Sequence, residues 1–141
     1  MALRAKAREL TLKLLYQLDV GGQPAEEVLR LARLNIKASE EVWNLARKKF
    51  LGIVENLPEI DENLREFTKE WGDIERLTYI DRNILRIATY ELLYEDETPT
   101  GVIIAEAVKL AESYGTENSA RFVNGVLSNM AKKVRGDGED T

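Results

Sequence analysis

Apolar residues recur at intervals of three and four along almost the whole chain, and this periodicity restricts the fold more than any other feature. No segment alternates apolar and polar residues over the length of a strand, and only 3 of the 141 residues are proline. Because this spacing places side chains on one face of an α-helix, the pattern predicts an all-α protein of about seven helices.

Glycine, proline and capping residues divide the periodic pattern into segments. We expect helices over about residues 3–20, 25–34, 39–57, 58–71, 79–94 and 100–114, and a seventh that begins between 116 and 119 and runs to about 134. The fifth carries apolar residues around nearly its whole circumference, which predicts a central buried helix. Trp71 is expected to face inward at the end of the fourth. For Asp81, Arg82, Asn83 and Arg86 a buried ion-pair network is one interpretation, and it is the favoured one for at least Arg86.

Residues 1–135 are expected to form one all-helical domain, and the break near Pro58 is the candidate boundary between a three-helix half and a four-helix half. Residues 136–141 carry three acids and no base, so we expect an acidic, flexible tail.

Composition excludes several classes of function. The chain contains no cysteine and no histidine, which removes thiolate and Ser–His nucleophiles and cysteine-ligated zinc. We therefore expect no enzyme activity, no metal and no cofactor. No apolar run approaches the roughly 20 residues that span a bilayer, and the N-terminus lacks a signal-peptide core, so a cytoplasmic protein is expected.

The charge distribution matters more than the total charge. A formal net charge of −5 argues against nucleic-acid binding through the overall field. The first thirteen residues nevertheless carry Arg4, Lys6, Arg8 and Lys13 against Glu9 alone. This local basic patch is predicted to contact phosphates.

A second, narrower apolar strip on the first helix consists of Ala5, Leu12 and Tyr16, about 180° from the core stripe. A helix with two opposite apolar faces is either sandwiched in the core or keeps one face for a partner. Because Arg4 and Arg8 flank the strip and charged groups are rarely buried, we favour a protein partner at Tyr16. The alternative is a tyrosine packed inside with its hydroxyl bonded.

Phe122 lies at the edge of the apolar stripe of the last helix. Its neighbours around the helix are Asn118, Arg121, Gly125 and Asn129. A large aromatic ring beside an arginine and small or amide side chains is a plausible surface for stacking a base. The alternative is that Phe122 is ordinary core and that Gly125 admits another helix.

Three stretches carry a resemblance to a known family. They are YGTENSARFVNG at Tyr114–Gly125, DRNILRIATYEL at Asp81–Leu92, and Ala7-Arg8 followed by Leu14–Gln17. Together they resemble the NusB family of bacterial transcription antitermination factors, and the similarity spans nearly the whole chain.

The resemblance implies an all-helical fold of two sub-bundles that binds boxA-type single-stranded RNA together with the ribosomal protein NusE. It also implies action in the transcription elongation complex, where the family promotes read-through in ribosomal RNA operons. Some members pair, so a homodimer is a further expected partner state. The implied RNA-binding residues are Arg4, Lys6, Arg8, Asn118, Arg121, Phe122 and Asn124, and the implied NusE-binding residues are Tyr16 and Asp81.

One feature departs from the family pattern, because the N-terminal basic residues alternate with Leu3, Ala5 and Ala7 and do not form a dense arginine run. Low RNA affinity without the protein partner is therefore expected. Two alternatives remain open at this point: a helical protein–protein adaptor without RNA binding, and a NusB-like RNA-binding subunit of a separate RNA-modifying enzyme.

Overall fold

The structure is a computed structural model that describes residues 2–136. Over these residues the chain is all-α, with seven α-helices and no strand, which confirms the predicted class. The helices are α1 Ala2–Gly21, α2 Ala25–Asn35, α3 Glu40–Glu55, α4 Leu57–Thr68, α5 Tyr79–Tyr94, α6 Thr100–Tyr114 and α7 Ser119–Arg135. None of them is long and apolar enough to cross a membrane. The predicted acidic tail lies, apart from Gly136, outside the described residues.

The chain divides into two compact units between Asn56 and Leu57. The first unit contains α1 to α3, and the second begins with α4, so the predicted division near Pro58 is confirmed. Pro58 occupies the first turn of α4, where its missing N–H leaves no helical hydrogen bond unmade.

In the first unit, α1 packs against α2 and α3. The Ser39 hydroxyl accepts a hydrogen bond of 3.1 Å from the N–H of Val42 and caps α3, as its sequence predicts. The buried apolar side chains of this unit are Ala7, Leu10, Leu12, Leu14, Leu15, Val28, Leu29, Ala32, Val42, Trp43, Ala46, Phe50 and Ile53.

The buried arc of α1 is wider than the sequence analysis proposed. Leu12 is buried, and Leu15 and Thr11 fill the gap between it and the core stripe. The Thr11 hydroxyl donates to a carbonyl of its own helix at 2.8 Å, so its polar group is satisfied inside. The prediction of a separate second strip is therefore wrong for Leu12, whereas Tyr16 is 36% exposed at the edge of the buried arc.

In the second unit, α5 is the central helix and packs against α4, α6 and α7. Thr78 caps it by accepting from the N–H of Asp81 at 3.1 Å. The Arg86 guanidinium donates two hydrogen bonds of 2.9 Å to the Asp61 carboxylate and a third, of 3.0 Å, to Asn83 Oδ1. This network confirms the buried ion pair predicted for Arg86, although its acid is Asp61 of α4 and not Asp81.

The end of α4 differs from the prediction. The α-helix ends at Thr68, and a 3-10 turn, Lys69–Trp71, continues the chain. Gly72 follows with φ +110°, a conformation that favours glycine. Because a 3-10 turn has 3.0 residues per turn and not 3.6, Trp71 leaves the register of the α4 stripe. Its side chain is 50% exposed, so the expected inward position is wrong.

A close backbone approach fixes the turn between α6 and α7. A Cβ added to Gly115 would lie 2.4 Å from Ser119 Oγ and 2.9 Å from the Ala111 carbonyl oxygen, so a side chain has no room there. The same Ser119 Oγ accepts a hydrogen bond of 2.9 Å from the N–H of Thr116. Gly115 ends α6 as predicted. Glycine is required there because a side chain would not fit, and not because of a left-handed conformation, since its φ is −95°.

The other end of α7 is held by Arg135. Its guanidinium is surrounded by acceptors at the end of α5 and the start of α6, where backbone carbonyls lack helical partners. These acceptors are the carbonyls of Glu91 (3.1 Å), Leu92 (3.1 Å), Glu95 (2.9 Å) and Thr98 (2.6 Å), and Thr100 Oγ1 (3.2 Å). One side chain thus joins three helices of the second unit.

Candidate nucleic-acid interface

The three basic residues predicted to contact phosphates do not form one cluster. Arg4 and Lys6 are exposed on α1, but two residues correspond to about 200° of rotation, so they point to different sides of the helix. Arg8 is only 6% exposed and is engaged within the chain. The expectation of a solvent-facing Arg8 is therefore wrong, because it lies inside the wide buried arc of α1.

Lys6 belongs instead to an open groove of about 1010 Å³ in the first unit. Lys13, Arg33 and Lys37 also line this groove, and Glu9 is its one acidic lining residue among those described. Leu3, Leu10, Ile36 and Val42 contribute apolar surface. This cationic groove is not evident from the sequence, because Arg33 of α2 and Lys37 of the α2–α3 connection reach it only through tertiary packing against α1.

The cations of the groove differ in whether they form an ion pair. Arg33 forms an ion pair with Glu40, and its guanidinium lies 5.0 Å from the centre of the Trp43 ring. Within residues 2–136, Lys6, Lys13 and Lys37 have no ion-pair partner. The groove therefore offers three flexible ammonium groups, which suits a phosphate backbone.

In the second unit, the start of α7 presents a group of polar side chains to solvent. Asn118 occupies the N-cap position, yet its side chain makes no capping hydrogen bond. Asn118 and Arg121 are exposed, and neither has a side-chain partner in the described part of the chain. Donors that are exposed and unsatisfied can bind an external acceptor without breaking an existing contact.

Phe122 is half-buried beside these polar residues, so it is neither fully exposed nor ordinary core. Its ring centre lies 5.2 Å from that of Trp71, and the two ring planes differ by 76°. This edge-on geometry is typical of favourable aromatic pairs. Sequence reasoning missed Trp71 because it assigned that residue to the interior.

Gly125 lies on the outer face of α7, one turn after Arg121. A Cβ added there would meet none of residues 2–136 within 4 Å, so none of the described helices packs against this glycine and the close-packing alternative is wrong. Glycine within a helix costs about 1 kcal/mol relative to alanine, and no internal contact explains it. The space above Gly125 is open to a ligand.

Asn124 is exposed as well, but it does not share this face. At about 100° per residue, the directions of residues 122 and 124 differ by about 160° around the helix. The structure therefore brings together Asn118, Arg121 and Phe122 and places Asn124 on another side of α7.

The start of α5 contains polar atoms without partners. Asp81 Oδ1 and Arg82 Nε are buried, and neither has a hydrogen-bond partner among the described residues. The Arg82 guanidinium lies 5.2 Å from the centre of the Tyr79 ring, which is exposed. Unsatisfied buried groups of this kind are rare in proteins, so this helix end is a candidate for an external contact.

One acidic residue near Trp71 stays ionised. A hydrogen bond from its own backbone N–H holds the pKa of Glu75 below its ordinary value, and Arg65, whose Nη2 lies 3.4 Å from the carboxylate, adds to this effect. The surface that follows α4 therefore carries both signs of charge, and Lys69 and Arg121 are two exposed cations of this unit.

The model of the NusB family matches residues 5–132 of the chain. The transcription antitermination protein NusB of Dehalococcoides mccartyi is 43% identical over 131 residues, which are 93% of this chain and 91% of that protein. The corresponding protein of Pseudothermotoga lettingae is 44% identical over 132 residues, covering 94% and 93%.

Solved structures show the same fold. A structure of NusB from T. maritima superimposes with a TM-score of 0.83 at 39% identity, over 92% of this chain and 91% of that one. A crystal structure of the antitermination factors NusB and NusE in complex with double-stranded RNA gives a TM-score of 0.83 at 28% identity, over 94% and 98%.

Proposed function

The chain belongs to the NusB family, and on this premise we propose that it is a transcription antitermination factor that binds RNA together with the ribosomal protein NusE. The observation that carries the proposal is the group at the start of α7. There, within residues 2–136, Asn118 and Arg121 are exposed and have no side-chain partner, beside the half-buried ring of Phe122. The RNA is a boxA-type single strand, and the protein acts in the transcription elongation complex on ribosomal RNA operons.

Arg4 and Lys6 bind phosphates in this proposal, and the structure suggests adding Lys13 and Lys37, which line the same groove as Lys6. The positive charges of these side chains supply affinity that does not depend on base sequence. Arg8 is not among the proposed phosphate-binding residues, because its buried side chain has a structural role.

Bases are bound on α7. Arg121 and Asn118 donate hydrogen bonds to base edges or phosphates, and Phe122 stacks on an unpaired base. Asn124 faces another side of the helix, so its truncation is expected to change RNA affinity less than truncation of Arg121.

Tyr16 and Asp81 are the residues through which NusE binds in this proposal. Tyr16 combines an exposed ring with a polar tip, which is typical of protein interfaces. The unsatisfied Asp81 Oδ1 is an acceptor that a backbone or side-chain N–H of the partner would complete.

The remaining parts of the proposal concern the setting. The protein acts in the cytoplasm, has no catalytic role, and forms a homodimer that competes with RNA for the same surface. Sedimentation with and without RNA tests the last point, because RNA is expected to shift a dimer towards the monomer.

Titration of a boxA-type single strand, with and without NusE and at several salt concentrations, tests the function. We expect NusE to tighten binding, and log K to fall with log salt by roughly 0.7 for each phosphate neutralised. A scrambled strand of the same length is the control. Absence of salt-dependent RNA binding in both series, with NusE still bound, would establish the adaptor alternative.

A further inference from the structure

An exposed indole accompanies Phe122 in the second unit. The Trp71 side chain is 50% exposed, while its edge-on contact with Phe122 covers only part of the ring system. The other tryptophan of the chain, Trp43, is 7% exposed in the first unit. A large aromatic surface left open beside a candidate stacking residue requires an explanation.

The backbone, and not core packing, sets the position of Trp71. The 3-10 turn Lys69–Trp71 and the positive φ of Gly72 turn the indole off the α4 stripe. A Cβ added to Gly72 would lie 3.7 Å from Cδ of Arg76, which is an ordinary van der Waals contact. Glycine is therefore favoured here by the positive φ and not by a lack of space. The chain therefore uses a special backbone geometry to present this ring at the surface.

We propose that Trp71 is a second base-stacking residue, and that Trp71 and Phe122 together receive two unpaired bases of one RNA strand. The inference rests on the proposed RNA-binding function and extends its site. Aromatic platforms bind bases of any sequence through their faces, and the exposed Lys69 and Arg121 supply positive charge for the connecting phosphates.

The angle between the rings determines which kind of RNA fits. Because the planes differ by 76°, two bases stacked on the two rings cannot remain stacked on each other. A duplex keeps its bases parallel, whereas a single strand can splay them apart. The pair is therefore expected to select single-stranded RNA, and the open space above Gly125 leaves room for the strand beside Phe122.

Two substitutions of Trp71 distinguish base stacking by its indole from structural support of the Phe122 ring. Trp71→Leu keeps an apolar side chain beside Phe122 but removes the π-face, and Trp71→Phe keeps an aromatic ring. With NusE present, we expect Trp71→Leu to weaken single-strand binding by about 5- to 150-fold. Trp71→Phe should retain most of the affinity. Tyr94→Leu, which removes another exposed aromatic ring of the second unit, is the matched control and should bind RNA as the wild type does.

Tryptophan emission provides a direct readout. Only Trp71 is accessible to a base, so the single strand should quench the wild-type emission, whereas Trp71→Phe, which retains Trp43, should not respond. A duplex of the same sequence should quench little. Wild-type affinity in Trp71→Leu, or no quenching in a wild-type complex that does bind RNA, would overturn the inference and leave the RNA-binding function intact. Failure of the wild type to bind any RNA would overturn both.

Discussion

Truncation of Phe122 to alanine tests the candidate interface most directly, because its effects on stability and on RNA binding follow from separate contacts. Burying a whole phenylalanine side chain is worth about 1.5–3 kcal/mol, so a half-buried ring contributes roughly 1 kcal/mol. The edge-on contact with Trp71 adds about 0.5–1.5 kcal/mol. We therefore expect Phe122→Ala to lower the free energy of unfolding by about 1.5–2.5 kcal/mol.

The effect on RNA is expected to be of similar size. Loss of one base–aromatic stack costs about 1–3 kcal/mol of binding free energy. Domains of this size are stable by about 5–15 kcal/mol, so the variant should stay folded during the titration. Chemical denaturation and RNA titration of the same preparation measure the two quantities independently.

Two residues of the same helix serve as controls. Leu127→Ala removes a fully buried side chain and should cost about 2–5 kcal/mol of stability while the folded protein binds RNA normally. Arg121→Ala should change stability by less than about 0.5 kcal/mol and weaken RNA binding. If Phe122→Ala lost about 3–5 kcal/mol of stability, as a core deletion does, and bound RNA like the wild type, the stacking argument would be refuted.

Three further predictions follow from the placement of single residues. Neutralising Arg4 or Lys6 should weaken binding to all RNAs and lower the slope of log K against log salt by roughly 0.7 for each residue. Arg8→Ala should instead lower the denaturation midpoint, because Arg8 is buried. An unchanged slope in the double variant Arg4→Ala/Lys6→Ala would remove the N-terminal residues from the site. Tyr16→Asp should leave the circular dichroism spectrum and melting temperature nearly unchanged and weaken NusE binding in calorimetry; unfolding of this variant would identify Tyr16 as core. Gly115→Ala should cost more than about 2 kcal/mol in denaturation and also reduce RNA affinity, because the added Cβ displaces the start of α7; wild-type stability would contradict the close approach.

Local signals predicted most of the fold. The apolar residues around α5 predict its central position, and the cap at Thr78 predicts its first residue. Both signals depend only on neighbours in the chain. Local signals also mark both ends of α6, where Pro99 occupies the N-cap position and Gly115 the C-cap position. Such features need no knowledge of the tertiary structure.

The misplaced residues depend on contacts or backbone geometry that single-residue patterns do not encode. The burial of Arg8 depends on what surrounds α1, and charge alone predicted exposure. Trp71 fits the α4 stripe at 3.6 residues per turn and leaves it only because the last turn is 3-10. The cationic groove combines Lys6 with Lys37, which are 31 positions apart in the sequence.

At the candidate site, the sequence indicated Asn118, Arg121 and Phe122 correctly as neighbours on one side of a helix. It could not indicate whether Phe122 was covered, since that depends on the turn after α4. For the same reason its aromatic neighbour, Trp71, could be recognised only in three dimensions.

The position of Arg135 determines where an expressed fragment of this protein should end. The family match ends at residue 132, three residues before the guanidinium that binds the end of α5 and the start of α6. A fragment cut at the limit of the match would keep the aligned region and still remove the donor for four carbonyls of the second unit. Expression boundaries for this chain should therefore extend past residue 135, and amide exchange in the α5–α6 connection would report the loss if they did not.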